Sequence, residues 1–389
     1  MAVKVGRKWE ALWINAHMQT LTKIIVNFYQ CASAMPSVLS VSQPAGVGWI
    51  TGWIPILEWP NRLGLHTFFP FLPIDCYGRF RRWMIISSLW PVVIALLAIL
   101  SCMALDVWST GRQRFSHGVA GLRRERSVLV IARAGFQRSL PLILVLTFVL
   151  LPSNANRIFR AFLCDSFGYD DAEDAEITEK RYLQDDLSLS CDSAEYNLVK
   201  RDAYMLVALW PMGIPLAYAA LLWASREAIT HQSPTPLSEA VGFLSKDYRV
   251  HAFMWEPLEM LRKLTLTGAV ILIPDSSEHA RVLVALLTSI LFLCLQLALK
   301  PFQHVALNWI VATCHVSLVL LYIAVLIIKT CEVNLDVCVQ YGFGSTGRGV
   351  YIFFVFFGLC VVLTLTFTGL ASLYFSGDQI AAPEARTLT

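Results

Sequence analysis

Apolar residues in this chain are arranged in long blocks, with little of the alternation of a strand. Uncharged stretches run from Trp83 to Leu105, Val282 to Leu299, Val305 to Ile328 and Gly349 to Phe375. Each is close to the ~20 residues a helix needs to cross a bilayer. Four further blocks are interrupted. Between Leu12 and Leu39, Lys23, Asn27 and Gln30 recur at spacings of four and three, which puts a polar stripe on one helical face. That stripe is predicted to face protein or the interface, away from lipid. The block Leu140 to Leu151 is short and borrows Arg138 and Asn154 at its ends, where long side chains snorkel. Tyr204 to Trp223 contains Pro211, Gly213 and Pro215, predicting a sharp local break. Trp255 to Pro274 has charges in its first two turns, leaving only Leu264 to Ile273 free of them.

These blocks predict an all-α, polytopic transmembrane helical bundle of about eight spans, near 14–39, 83–105, 138–156, 203–224, 257–274, 280–299, 305–328 and 349–375. Helices are the expected element because lipid offers backbone polar groups no partner outside their own segment. Pro91 should kink the second span. The Trp-, Pro- and Gly-rich stretch from Pro44 to Phe80 suits the headgroup region, where amphipathic aromatic rings settle.

Composition narrows the class. Of 389 residues, 56% are hydrophobic and 15% charged, against roughly 25% charged in an ordinary soluble domain. The mean hydropathy is +0.57. A soluble dehydrogenase, a nucleic-acid binder and a secreted disulfide scaffold are excluded, and a net charge of +3 is too small to imply a polyanionic partner. The expected organisation is one integral membrane domain over residues 1–375 with a short cytoplasmic tail at 376–389. The basic start, MAVKVGRKWEALW, has no continuous apolar segment of the signal-peptide kind, so insertion is expected to rest on the first membrane helix.

The placement of charge gives an orientation. The loop from Val107 to Gln137 carries Arg112, Arg114, Arg123, Arg124, Arg126 and Arg133 and belongs in the cytoplasm by the positive-inside rule. Counting from it, both termini are cytoplasmic and the loops at 157–202 and 329–348 lie on the other side. Arg79, Arg81 and Arg82 then fall outside, the one violation. Cys164 and Cys191 flank the acidic outer loop, and Cys331 and Cys338 lie in the last one. In an oxidising compartment two disulfides are expected, one in each loop, with free thiols as the alternative. Cys31, Cys102, Cys294, Cys314 and Cys360 fall in spans and read as small hydrophobes.

Catalytic patterns are absent from the sequence: no GxSxG, Walker loop, HExxH or CxxC occurs, and the histidines lack metal-ligand spacing. The chain is therefore expected not to be an enzyme and to need no metal or cofactor. Three features invite a transport or signalling role. Glu259 precedes Arg262 and Lys263 by three and four residues, an internally neutralised cluster at the membrane boundary. A linker coupling a sensor bundle to a pore would look like this, and so would an interfacial anchor. The stretch YGFGSTGRG makes Tyr341, Gly342, Phe343 and Gly344 pore-loop candidates of the carbonyl-filter kind, although only about ten residues after Cys331 leave little room for a pore helix. A flexible turn is the alternative. The acidic outer loop, with DDAEDAE at Asp170 to Glu176, would concentrate cations near a pore mouth or serve simply as a solvated loop.

A family resemblance adds to this. The succession TKIIVNFYQ (Thr22 to Gln30), NRIFRAFLCDSF (Asn156 to Phe167), RYLQDDLSLSCDSAEY (Arg181 to Tyr196), LWPMGIPLAY (Leu209 to Tyr218), GFLSKDYRVHAFMWEPLEMLRKLTLTG (Gly242 to Gly268) and LKPF (Leu299 to Phe302) resembles a multi-pass C-terminal membrane module of large algal, oomycete and other protist membrane proteins. That module is distantly similar to the membrane domain of transient receptor potential (TRP)-like channels. The resemblance covers roughly residues 20–330. It implies a plasma-membrane or endomembrane protein working as a homo-oligomer in the lipid bilayer, with cations as the conducted species. It also implies Cys164 and Cys191 as disulfide partners, and Trp255, Glu256, Glu259, Arg262 and Lys263 as the gating cluster that leads the chain into the membrane. The sequence departs from the pattern in lacking the usual repeat-type ectodomain, as a truncated or short member would, and in Pro257, which a helix tolerates in its first turn.

Overall fold

The structure, a computed structural model, describes residues 18–39, 80–116, 128–170, 177–273, 278–333 and 335–340, with Gly358, Val362 and Thr366 beyond them. It is mostly helical and divides into two compact units. One comprises Arg62–Lys246 and Phe253–Leu258. The other comprises Met1–Asn61, Asp247–Ala252 and Glu259–Thr389.

Helix α1 (Met18–Val38) belongs to the second of these units. The first unit opens with helices α2 (Phe80–Ser116) and α3 (Val128–Arg160), which run beside each other. They approach closely at Gly135, where a Cβ would collide with the Met103 side chain and lie 3.1 Å from the Met103 nitrogen. Trp90 and Leu150 are buried together, flanked by Leu146 and Val149. Pro91 sits inside α2 without ending it.

After α3 the chain forms a small antiparallel sheet, β1 (Cys164–Asp170), β2 (Ile177–Leu183) and β3 (Asp186–Ser190), in the order β1-β2-β3. Phe167 faces Lys180 and Tyr182 faces Ser190, with an irregularity between Tyr182 and Leu183. The described residues are mostly helical, as expected, and this small sheet is an addition to that pattern. The acidic stretch lacks long apolar runs, and its short alternating segments, such as ITEKRYL, pair as strands instead.

Helix α4 (Ala194–Val207) starts at Ser193, whose hydroxyl accepts from the Tyr196 amide at 3.2 Å. The expected sharp break at WPMGIP is a single π-turn, Ala208–Met212, that leads directly into α5 (Gly213–Ala224). Pro211 and Pro215 lack the N–H groups that ordinary helical bonding needs, and the widened turn absorbs that loss. Gly213 fits because a Cβ there would stand 2.8 Å from the Ala208 carbonyl oxygen. The Trp210 indole N–H donates to the Ser88 carbonyl of α2 at 3.1 Å, and the Tyr218 hydroxyl donates to Leu144 of α3 at 2.7 Å. Three short helices follow, α6 (Arg226–Thr230), α7 (Pro236–Ala240) and α8 (Gly242–Ser245), and Phe243 packs edge-on against Phe148.

Helix α9 (Trp255–Thr267) starts in the first unit and continues into the second. There it is followed by a 3-10 turn, Ala269–Leu272, and by α10 (Glu278–Leu299), α11 (Val305–Val333) and α12 (Leu335–Gln340). The tight α10–α11 turn puts Lys300 at φ 43° and is pinned by Asn308. Its amide donates to the Phe302 and His304 carbonyls, and its oxygen accepts from the Phe302 amide at 3.2 Å. Phe302 also bridges to Tyr248.

Five described helices are long and apolar enough to cross a membrane: Phe80–Leu105, Ala132–Arg160, Ala194–Ala224, His279–Leu299 and Val305–Cys331. Their outer faces suit lipid. Val93, Leu96, Leu97 and Leu100 of α2 and Leu283, Leu287 and Leu291 of α10 are exposed at helical spacing, a stripe that water would not favour. In length and composition these are the helices of an integral membrane protein.

Three expected spans stand differently. Helix α1 is 21 residues long and polar along one face, and it is not among the five. The expected span at 257–274 is interrupted at Gly268. Helix α9 has 13 residues, about 20 Å at the usual rise, and the chain turns at Gly268. The last expected span, 349–375, lies outside the described residues except for Gly358, Val362 and Thr366. These three are helical, and Val362 and Thr366 are buried. A Cβ at Gly358 would lie 3.5 Å from the Ser317 side chain, so Gly358 packs on α11.

Candidate functional site

Helix α9 brings the predicted charge cluster inside the protein. Trp255, Glu256, Glu259, Arg262 and Lys263, the cluster expected at the membrane boundary, are all buried within the protein. Trp255 and Glu256 belong to the first unit, while Glu259, Arg262 and Lys263 belong to the second.

In the second unit the cluster is a built arrangement. The Arg262 Nε donates to both Glu259 oxygens at 3.1 Å, and its Nη2 also pairs with Glu259 Oε1. The forked guanidinium is suited to this geometry. Lys263, one residue on, turns to α1: its Nζ donates to Asn27 Oδ1 at 2.9 Å and to Gln30 Oε1 at 3.0 Å. Lys23, the remaining member of the α1 stripe, lies over the Tyr248 ring at 5.2 Å. The polar stripe and the boundary cluster, two separate readings from sequence, are thus one buried network. Thr20 extends it, donating to Asp247 at 2.5 Å. Charges this deep are stabilised only when paired, so the network fixes the register of α1 against α9.

Residues that the sequence reading missed border this network. Cys31 of α1, Phe292 of α10 and Cys314, His315 and Tyr322 of α11 are buried. The Arg262 guanidinium lies 5.8 Å from the Phe292 ring centre. It interacts electrostatically with Cys31, Cys314, His315 and Tyr322. A signal existed: His315 and Tyr322 are seven residues apart, on one face of a mostly apolar span, and polar groups within such spans are functional candidates by default.

The loop between α3 and α4 is closed by a disulfide between Cys164 and Cys191, Cα atoms 6.4 Å apart, as expected. Cys331 is also disulfide-bonded, while the Cys338 side chain lies outside the described residues. Cys31, Cys102, Cys294 and Cys314 are free thiols. Arg81, one of the arginines that violates the positive-inside count, is paired with Asp202 at 2.7 Å. The pore-loop candidates Tyr341, Gly342, Phe343 and Gly344 lie outside the described residues, as does the core of the DDAEDAE run. Among the described residues, no group of three or more His, Cys, Asp or Glu side chains could hold a metal ion. Comparison of the chain with protein-family models, with curated proteins and with solved structures returns no match.

Proposed function

We propose that the chain is the membrane subunit of a TRP-like cation channel of the plasma membrane or an endomembrane, working as a homo-oligomer with both termini cytoplasmic. The pore would form near the last spans of the oligomer, and α9 would transmit force or a ligand signal to them. The observation that supports this reading most is the pairing of Lys263 with Asn27 and Gln30. It ties a short charged helix to α1 through hydrogen bonds that are costly to break in lipid, so α9 and α1 move together or not at all. The arrangement also accommodates a non-conducting anchor or receptor, or a carrier of a small solute.

Reconstitution separates these. Purified protein in planar bilayers should give unitary cation currents. Saturable solute uptake without such currents would indicate a carrier, and neither activity would indicate the anchor or receptor.

A further inference from the structure

In the first unit, the loop after α5 carries a short segment that is fixed at both ends and open to solvent. Upstream, α6 closes on a left-handed cap: Gln232 takes φ 52°, its amide donates to the Ile229 carbonyl at 3.4 Å, and the Ser233 amide donates to the Ala228 carbonyl at 3.0 Å. Downstream, α7 opens on a reciprocal cap. The Ser238 amide donates to the Thr235 hydroxyl at 3.2 Å, and the Thr235 amide donates to the Ser238 hydroxyl at 2.8 Å. Between the two caps lie Ser233, Pro234 and Thr235, outside helix and strand and, with Pro236, all exposed.

The prolines decide what this segment can do. Of the 17 in the chain, Pro234 and Pro236 alone follow a serine or threonine, and both fall here. A residue before proline is held out of the helical region, so Ser233 and Thr235 are biased toward extended backbone. Thr235 adopts φ −116° and ψ 156°. Proline also withholds the N–H that would let the segment join a strand. A Ser-Pro step is thus held extended and unpaired at the surface.

We propose that Ser233 is a phosphorylation site for a proline-directed serine/threonine protein kinase. Such an enzyme takes its acceptor as extended chain, and a proline after the acceptor leaves no amide hydrogen to be satisfied in the cleft. Ser233 and Thr235 both precede proline, and their hydroxyls separate them. The Thr235 hydroxyl is engaged in capping α7, whereas the Ser233 hydroxyl makes no hydrogen bond among the described residues. In the transfer, the Ser233 oxygen attacks the γ-phosphorus of ATP and the bond from that phosphorus to the β–γ bridging oxygen breaks. ADP leaves, and the hydroxyl proton passes to the base of the kinase. The phosphoserine carries about −1.5 to −2 charge at neutral pH. Neither cap uses the Ser233 side chain, so the loop gains this charge without losing either of them. The site rests on the cytoplasmic placement of this loop in the proposed function, because kinases of this class draw on cytoplasmic ATP.

The test incubates the purified full-length chain in lipid nanodiscs, where both faces are open, with a cyclin-dependent kinase and magnesium ATP, and locates phosphate by peptide mass spectrometry. Phosphate should appear at Ser233 well ahead of Thr235, be lost from that position in Ser233→Ala, and form at least several-fold more slowly in Pro234→Ala. No phosphate at Ser233, faster modification of Thr235, or an unchanged rate in Pro234→Ala would overturn the site whatever the orientation. If Pro234→Ala gives no monodisperse protein, the division of phosphate between Ser233 and Thr235 in the unaltered chain decides. Sidedness is read separately, with kinase and ATP added outside sealed vesicles. Labelling of inside-out and not of right-side-out vesicles is expected; the reverse would overturn the cytoplasmic placement, and with it the modification in cells. Neither arm depends on whether the protein conducts.

Discussion

Lys263 donates a 2.9 Å hydrogen bond to Asn27, joining two positions 236 residues apart in the sequence inside the protein interior. Replacing Lys263 with alanine removes the donor and leaves the Asn27 and Gln30 oxygens buried without it. Each unsatisfied group costs about 1–3 kcal/mol, so Lys263→Ala should lower the thermal midpoint in detergent or nanodiscs markedly. Lys263→Met combined with Asn27→Leu should recover part of the loss, because the Asn27 oxygen is then no longer stranded. Strict additivity in that double-mutant cycle would argue against the contact.

The Glu259–Arg262 pair makes an asymmetric prediction. Removing one partner of a buried pair typically costs about 3–5 kcal/mol, whereas replacing both by apolar residues of similar size is far milder. Glu259→Leu and Arg262→Met alone should each reduce the yield of folded, monodisperse protein in size-exclusion profiles. The double variant should exceed both single variants; a double variant worse than either would contradict the pairing.

The Cys164–Cys191 bridge encloses the small sheet with a sequence separation of 27. A closed loop of that length contributes about 3.5 kcal/mol in the chain-entropy treatment. Either Cys164→Ser or Cys191→Ser should abolish the reduction-sensitive mobility shift of this loop and make the segment around Gln184 protease-sensitive. An undiminished shift in both variants would show that the two cysteines are not partners.

The π-turn depends on a missing side chain at residue 213. Gly213→Ala puts a Cβ 2.8 Å from the Ala208 carbonyl oxygen, and strain of this kind costs about 1–3 kcal/mol. The expected outcome is a lower midpoint with the helical circular dichroism signal retained. An unchanged midpoint would show that the turn relaxes freely.

The long apolar blocks identified the membrane helices α2, α10 and α11 almost by themselves, because an uncharged run of that length has few other stable fates. Two things escaped. The first was the sheet: in Cys164–Ser190 acidic residues dominate, and hydropathy says nothing about how a polar segment pairs its backbone. The second was the partner of each polar stripe. Lys23, Asn27 and Gln30 were visible as a face, and Glu259, Arg262 and Lys263 as a cluster, but periodicity reports which residues share a side of a helix and never which helix lies opposite. The halves of the network are separated by more than two hundred residues, and only the fold joins them. His315 and Tyr322 were hidden differently, as isolated polar residues that an average over an apolar span dilutes.

The segment Ala132–Arg160 separates the arginine-rich loop from the acidic one, and the whole account requires it to cross the membrane. Single cysteines introduced at Gly118 and Asp174 in intact cells, probed with a membrane-impermeant thiol reagent, measure this directly. The Asp174→Cys variant should label from the extracytoplasmic side, and the Gly118→Cys variant only after the cells are permeabilised. Labelling of both from the same side would contradict the crossing, and with it the orientation on which the proposed channel rests.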